Sequence, residues 1–371
     1  MEGFYRLIAK FLVKFFNEGN YIWAAVILVV LIIVYYANKK DDSKNHQSSP
    51  STDPSPKSSD EETRFDETEV KVQQVDSASS SPFADTIPIG CTINGKYKVK
   101  RYLSSGGFGN TYLVTDDQGQ KAAVKELFVR EICDRKNGTK GVIIPTAQNR
   151  QTFETLKEKF KKEAIRLQNM DNPHIVKVYD VFEDNGTVYY VMDYIDGQSL
   201  SDVVKQKGTL SEEELRRLLP SIFDALRYIH SRHIWHLDIK PANIMLSSPS
   251  NAVIIDFGAS KQYEDSYGNT LSTSSQMYYT QGYAPIEQMA RPAKNIGPWT
   301  DIYALGATLY FVLTAQKPPN ADEILTDGLP SLPAELSSSM RKAITAMMQA
   351  SRNLRPQNID EVEEIINESY Q

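Results

Sequence analysis

The stretch HIWHLDIKPANIML, residues 233–246, decides how this chain reads. It sets an acid, Asp238, two residues before Lys240 and five before Asn243. These residue types suit chemistry on phosphate. A carboxylate can orient and deprotonate a hydroxyl, an ammonium can offset phosphate charge, and an amide oxygen can hold a metal. The apolar Leu237 stands directly before the acid, where a charged neighbour would be less surprising. Taken alone, the stretch is also an ordinary polar loop between apolar runs. Its meaning depends on what flanks it.

Upstream, LSSGGFGNTYLV (103–114) reads as a strand–turn–strand. Gly106, Gly107 and Gly109 would let backbone N–H groups approach phosphates without hindrance from side chains. A plain hairpin turn explains the same glycines equally well. KAAVKEL (121–127) puts Lys125 between apolar neighbours, within a strand's reach of α- and β-phosphates. FKKEAIRLQNM (160–170) offers Glu163 on a helix, where the bland alternative is a surface acid. Downstream, VIIDFGAS (253–260) ends an apolar strand with Asp256, a hard carboxylate of the kind that binds Mg2+.

The order and spacing of these pieces resemble the protein kinase family over roughly residues 93–368. Six motifs carry the resemblance: the glycine turn with Gly106 and Gly109, Lys125, Glu163, His236-Leu237-Asp238 with Asn243, Asp256-Phe257-Gly258, and GYAPIEQ with Glu287. IKPAN and YTQGYAPIEQ look like the serine/threonine branch, and the whole is most similar to its bacterial members. The resemblance implies an α+β, bilobed protein kinase fold with a small β-rich N-lobe and a larger helical C-lobe. It implies ATP and Mg2+ as cofactors and protein Ser/Thr hydroxyls as acceptors.

Roles follow from the same resemblance. Asp238 would be the base, Lys240 would offset charge, Thr280 would shape the acceptor site, and Glu163 would hold Lys125 against the phosphates. Asn243 and Asp256 would hold the metal. Leu103, Ser104, Gly106, Gly107, Phe108, Gly109, Thr111, Ala123, Lys125, Met192, Asp193, Ile195 and Met245 would line the nucleotide pocket, with Met192 gating the adenine. Asp301 in WTDIYALG looks like the anchor of the catalytic loop, and Arg355 like the partner of Glu287. A kinase-like scaffold that binds nucleotide without transferring phosphate is the alternative reading.

Three departures from the family pattern stand out. Leu237 replaces the arginine that in many kinases pairs with a phosphorylated activation loop, and it cannot form a charge-assisted pair. Activity is therefore expected to be independent of loop phosphorylation, despite Ser266, Thr270, Ser272, Thr273, Ser274 and Ser275. Ser104 stands for the first glycine, and Thr111 for a valine beneath the adenine. The stretch 126–162 between Lys125 and Glu163 is long and has no assigned role.

The rest of the chain reads by composition. Of 371 residues, 41% are hydrophobic and 24% charged, which is ordinary for a globular protein and names no function. A net charge of −6 argues against nucleic-acid binding. Two cysteines are too few for a disulfide framework. Residues 1–20 form a basic amphipathic pattern suited to a membrane surface. Residues 21–37 are about 17 uncharged, mostly apolar positions, roughly 25 Å as a helix, flanked by Tyr21, Trp23, Tyr35 and Tyr36 as interfacial aromatics. No small-residue cleavage site follows, so an uncleaved transmembrane helix is expected.

Residues 38–88, rich in Ser, Pro and charge, read as a disordered polar linker. The kinase domain is expected over 89–371. A need for ATP would put that domain on the cytoplasmic side of a single-pass membrane protein. Substrate identity, the activating signal and any dimerisation through residues 1–36 are left open by the sequence.

Overall fold

Strand and helix periodicities divide the described chain into a β-rich part before the stretch 194–197 and a helical part after it. The computed structural model describes residues 85–107, 109–136, 138–257, 261–262, 279–290 and 295–368. The amphipathic segment 1–20, the expected span 21–37, linker residues 38–84, Phe108 and the loop serines and threonines lie outside these residues. Among the described residues no helix is long and apolar enough to cross a membrane.

The β-rich part is a six-stranded antiparallel sheet in the order β1-β2-β3-β4-β8-β7. Its strands are β1 (Thr92–Ile93), β2 (Tyr97–Gly106), β3 (Gly109–Thr115), β4 (Lys121–Leu127), β7 (Val178–Asp184) and β8 (Thr187–Asp193). A short pair, β5 (Asp134–Arg135) and β6 (Val142–Ile143), lies in the 126–162 stretch, followed by helix α1 (Ala147–Gln168). Thr146 caps α1 by accepting the Asn149 N–H at 3.1 Å, satisfying one of the donors a helix start leaves free.

Side-chain alternation gives the sheet two different faces. One face carries Tyr112, Val114, Val124, Tyr189 and Val191, closed over by Ile87, Ile93, Tyr97 and Val99. The other carries Ala123, Leu127, Tyr190 and Met192 and joins the main core. Residues 85–88, expected as the end of the linker, belong to the folded unit, since Ile87 is 1% exposed. A single apolar side chain placed against a tyrosine-rich face accounts for this, and polar composition around it concealed it.

The helical part contains β9 (Gln198–Ser199), α2 (Leu200–Lys207), α3 (Glu212–His230), β10 (Ile234–Trp235), β11 (Ile244–Ser248), β12 (Asn251–Ile254) and β13 (Lys261–Gln262). It continues with α4 (Ile286–Met289), α5 (Pro298–Thr314), α6 (Ala321–Asp327), α7 (Ser338–Met347) and α8 (Ile359–Asn367). Ser211 and Glu214 form a capping box at the start of α3. The stripe Leu215, Leu218, Leu219, Ile222, Phe223, Leu226 and Ile229 is buried. Helix α5 is buried nearly all round, as its unbroken apolar sequence predicts.

Candidate active site

A buried carboxylate on α5 builds the site from below. Asp301 is fully buried and accepts the backbone N–H of Leu237 at 2.8 Å and that of His236 at 2.9 Å. His230 meets the same carboxylate at 2.9 Å. Burial would raise the Asp301 carboxyl, but the His230 contact, the nearby His236 and the Leu237 N–H together hold it below the ordinary value. Leu237 takes a left-handed φ of 63°, a strained pose for a branched residue. Gln288 donates to the Leu237 carbonyl at 2.7 Å, so both backbone polar groups of that residue are held. The surroundings over-determine the strain.

The Leu237 side chain is itself buried, packed with Trp235 and Ile296. This answers the oddity of the opening stretch: the residue before Asp238 is an apolar plug. Its neighbour His236 donates from Nε2 to the Ile255 carbonyl at 3.3 Å and accepts the Asp238 N–H on Nδ1 at 3.2 Å. Desolvation lowers the His236 pKa, which suits this neutral tautomer.

Above the plug sit the groups named from the sequence. Lys240 Nζ reaches Asp238 Oδ2 at 2.7 Å, and the Thr280 hydroxyl donates to Asp238 Oδ1 at 2.8 Å. Lys240 also donates to the Thr280 hydroxyl at 3.2 Å. Asn243 donates from Nδ2 to the Asp238 carbonyl at 2.9 Å and to Oδ2 at 3.0 Å. With its N–H donors committed to Asp238, Asn243 has its amide oxygen left as an acceptor. Three side chains drawn from two segments about forty residues apart thus share one carboxylate.

On the sheet side, Leu103 and Ser104 lie on β2, Gly106 and Gly109 close the turn, and Thr111 lies on β3 opposite Lys125. A side chain at Gly109 would put its Cβ 1.8 Å from the Glu126 carbonyl, so close strand packing alone demands glycine there. At Gly106 nothing lies within 4 Å of such a Cβ, leaving space above the turn. Ala123 pairs in register with Met192, followed by Asp193 and Ile195, while Met245 lies on β11 across from Val253.

Lys125 is buried and forms an ion pair with Asp256, and its ammonium lies 5.7 Å from the centre of the Tyr190 ring. Burial would lower the lysine, but Asp256, Tyr190 and Glu163 hold it well above its ordinary value. The expected pair with Glu163 is not closed. That carboxylate takes the Tyr190 hydroxyl at 3.5 Å, and burial pushes it up to about 7 against the pull of Lys125, with Asp256 adding to the rise. Helix α1 is pinned elsewhere, with Lys157 reaching Glu183 at 2.9 Å and Lys161 also pairing with it. A lysine between two acids takes the one with the better approach, and here that is Asp256.

The domain profile described as "Protein kinase domain" matches residues 97–370. This chain belongs to the protein kinase family. It is 34% identical over 250 residues to serine/threonine-protein kinase PknA of Nostoc sp., covering 63% of this chain and 40% of that protein. It is 35% identical over 238 residues to serine/threonine-protein kinase B of Synechocystis sp., covering 62% and 38%. A solved chain, "PpkA-294 apo form", superposes with a TM-score of 0.65 at 29% identity, covering 76% of this chain and 99% of that one. The chain spans about two fifths of the length of the curated relatives it matches.

Two further ties hold the kinase domain. Arg355 grips Glu287 with both nitrogens, Nη1 at 2.6 Å and Nη2 at 3.2 Å, and lies 4.9 Å from the centre of the Tyr303 ring. This pairing is the one the sequence led us to expect. The roles of Gln288, His230 and His236 in holding the catalytic loop were not read from the sequence. Gln288 follows Glu287 directly, but no local signal marks an amide whose partner lies 51 residues away.

Proposed function

We propose that this kinase transfers the γ-phosphoryl group of ATP to serine or threonine hydroxyls of proteins. The observation carrying the reading is the Asp238 carboxylate, held by Lys240, Thr280 and Asn243. An acceptor hydroxyl would replace the Thr280 hydroxyl on one carboxylate oxygen or share it. Asp238 then takes the hydroxyl proton as the O–P bond forms and the bond to the β-phosphate oxygen breaks, while Lys240 offsets the charge of the moving group.

Asn243 and Asp256 supply an amide oxygen and a carboxylate, hard donors that fit Mg2+. Held there, that ion would supply positive charge to offset the nucleotide phosphates. Lys125 would release Asp256 and turn to the α- and β-phosphates, with Glu163 as its counter-charge. The backbone of Gly106, Gly107 and Gly109 would cover the phosphates. Leu103, Thr111, Ala123, Met192, Asp193, Ile195 and Met245 would line the adenine side.

We read residues 21–37 as a transmembrane anchor, 1–20 as a surface helix and the polar stretch after the span as a tether, with the kinase domain on the cytoplasmic side. The length and flanking aromatics of the apolar run support this. The alternative, a scaffold that binds nucleotide without transfer, draws on the Lys125–Asp256 pair standing where Lys125–Glu163 was expected. Labelled ATP with Mg2+ separates the two. Wild type is expected to phosphorylate itself or an added protein, and Asp238→Asn to lose this by at least about a thousandfold while still binding nucleotide. Equal labelling in both would overturn the transfer mechanism.

A further inference from the structure

The stretch 126–145, to which no motif assigns a task, builds a buried polar cluster on the sheet face turned away from Lys125. Glu126 is fully buried and paired with Arg135 at 2.6 Å, both side chains sealed from solvent. The Glu126 carboxylate also accepts the Tyr112 hydroxyl at 2.9 Å, the Tyr189 hydroxyl at 3.0 Å and the Asn110 amide at 3.4 Å. The donors come from three strands: Asn110 and Tyr112 from β3, Arg135 from β5 and Tyr189 from β8.

The cluster grips the chain as it arrives from the tether. The Asp85 carbonyl accepts Arg135 Nε and Asn110 Nδ2, each at 3.2 Å. Ile87 donates its N–H to the Tyr112 hydroxyl at 3.1 Å and buries its side chain beside Tyr97 and Val99. Outside, Arg130 pairs with the Asp85 carboxylate at 3.5 Å. A three-residue strap is therefore docked by backbone hydrogen bonds and one apolar side chain.

The place of this cluster matters. Asn110 pairs in register with Glu126, and the next pair along is Thr111 with Lys125. On the other side Gly109 lies against the Glu126 carbonyl. The buried pair is thus one residue from the glycine turn and one from the phosphate lysine. A buried ion pair is a poor way to gain stability, since apolar residues of like volume do as well. A fully satisfied polar network does fix one geometry, because any slip leaves a buried group without a partner.

We propose that Glu126 and Arg135, with the strap 85–87 they hold, are positioning residues for the nucleotide. They set β3 against β4 so that the glycine turn and Lys125 keep the spacing the phosphates need, and they make nucleotide affinity depend on strap docking. The proposal rests on the reading that this cleft takes a nucleotide. Coupling between two sites is reciprocal, so nucleotide must also tighten the strap.

The test uses the full-length chain and a fluorescent ADP analogue with Mg2+, so that binding is measured apart from transfer. Tyr112→Phe keeps the ring but removes the hydroxyl that joins Ile87 to Glu126. It is expected to weaken binding about five- to tenfold, and Ile87→Ala to do the same. The double variant is expected to be no worse than either, because both cut one connection. In unaltered protein, saturating nucleotide is expected to slow amide exchange at Ile87. Variants that melt earlier but bind nucleotide as wild type does would reduce the cluster to scaffolding and overturn the proposal. Unchanged exchange at Ile87 would overturn it without any variant. Wild type that binds no nucleotide would overturn the reading of the cleft itself.

Discussion

The two halves of the candidate site are assembled by different means. Around Asp238, the loop and its carboxylate are tied to fixed partners: Asp301 holds the loop backbone, Gln288 closes over it, and Thr280, Lys240 and Asn243 meet on one carboxylate. Around Lys125, the pairing is a choice between two acids, and Glu163 stands partnered by a tyrosine hydroxyl. The first half rests on a helix buried nearly all round, and the second on a helix tied to strand β7 by Lys157 and Lys161. The Asp238 side is fixed by packing, whereas the Lys125 side depends on an adjustable pairing.

The comparison can be broken or sharpened at four points. The largest effect is expected at Arg355→Met. It strands the buried Glu287 carboxylate and should lower unfolding stability by about 3–5 kcal/mol, measured by chemical denaturation. A loss below about 1 kcal/mol would mean the acceptor half is not held as described. Leu237→Ala empties the apolar plug and should cost about 2–4 kcal/mol. Phosphatase treatment of wild type should leave activity within about twofold, because an apolar plug offers a loop phosphate no cation. A large loss on treatment would tie the acceptor half to modification after all.

Thr280→Val removes the hydroxyl that bridges Asp238 and Lys240. It should lower kcat about 10- to 100-fold, leaving the KM for ATP nearly unchanged. A change in KM instead would move Thr280 to the nucleotide half. The smallest effect concerns Glu163. Its folded carboxyl titrates near 7, above the ordinary 4.5, because burial disfavours its charge. The group therefore supports the fold fully below about 4.5, and that support is lost as pH rises through about 7. Glu163→Gln should be nearly neutral at about pH 5 and stabilising by about 1–3 kcal/mol at about pH 8. A difference that does not grow with pH would mean the carboxylate is already paired.

The sequence was legible where function compresses residues into short spacings. The 238–243 set and the Glu287–Arg355 pair could both be named in advance, because each follows a local pattern or a family spacing. The strap at 85–87 could not, since a few apolar residues (Phe83, Ile87, Ile89) between a serine-rich run and the first strand are too few to show a period. Nor could Glu126 and Arg135, nine residues apart on strands of two separate sheets. That Lys125 pairs with Asp256 in this structure was not legible for a related reason. Which of two acids a lysine takes depends on the pose of a helix, not on the order of letters.

The Asp301 carboxylate has one more consequence, for the newly made chain. The loop it anchors leaves the ribosome first, and residue 301 follows more than sixty positions later. Until then the left-handed turn at Leu237 has no acceptor for its amide. A protein released early would carry all the letters of the 233–246 stretch with nothing to bend them into place.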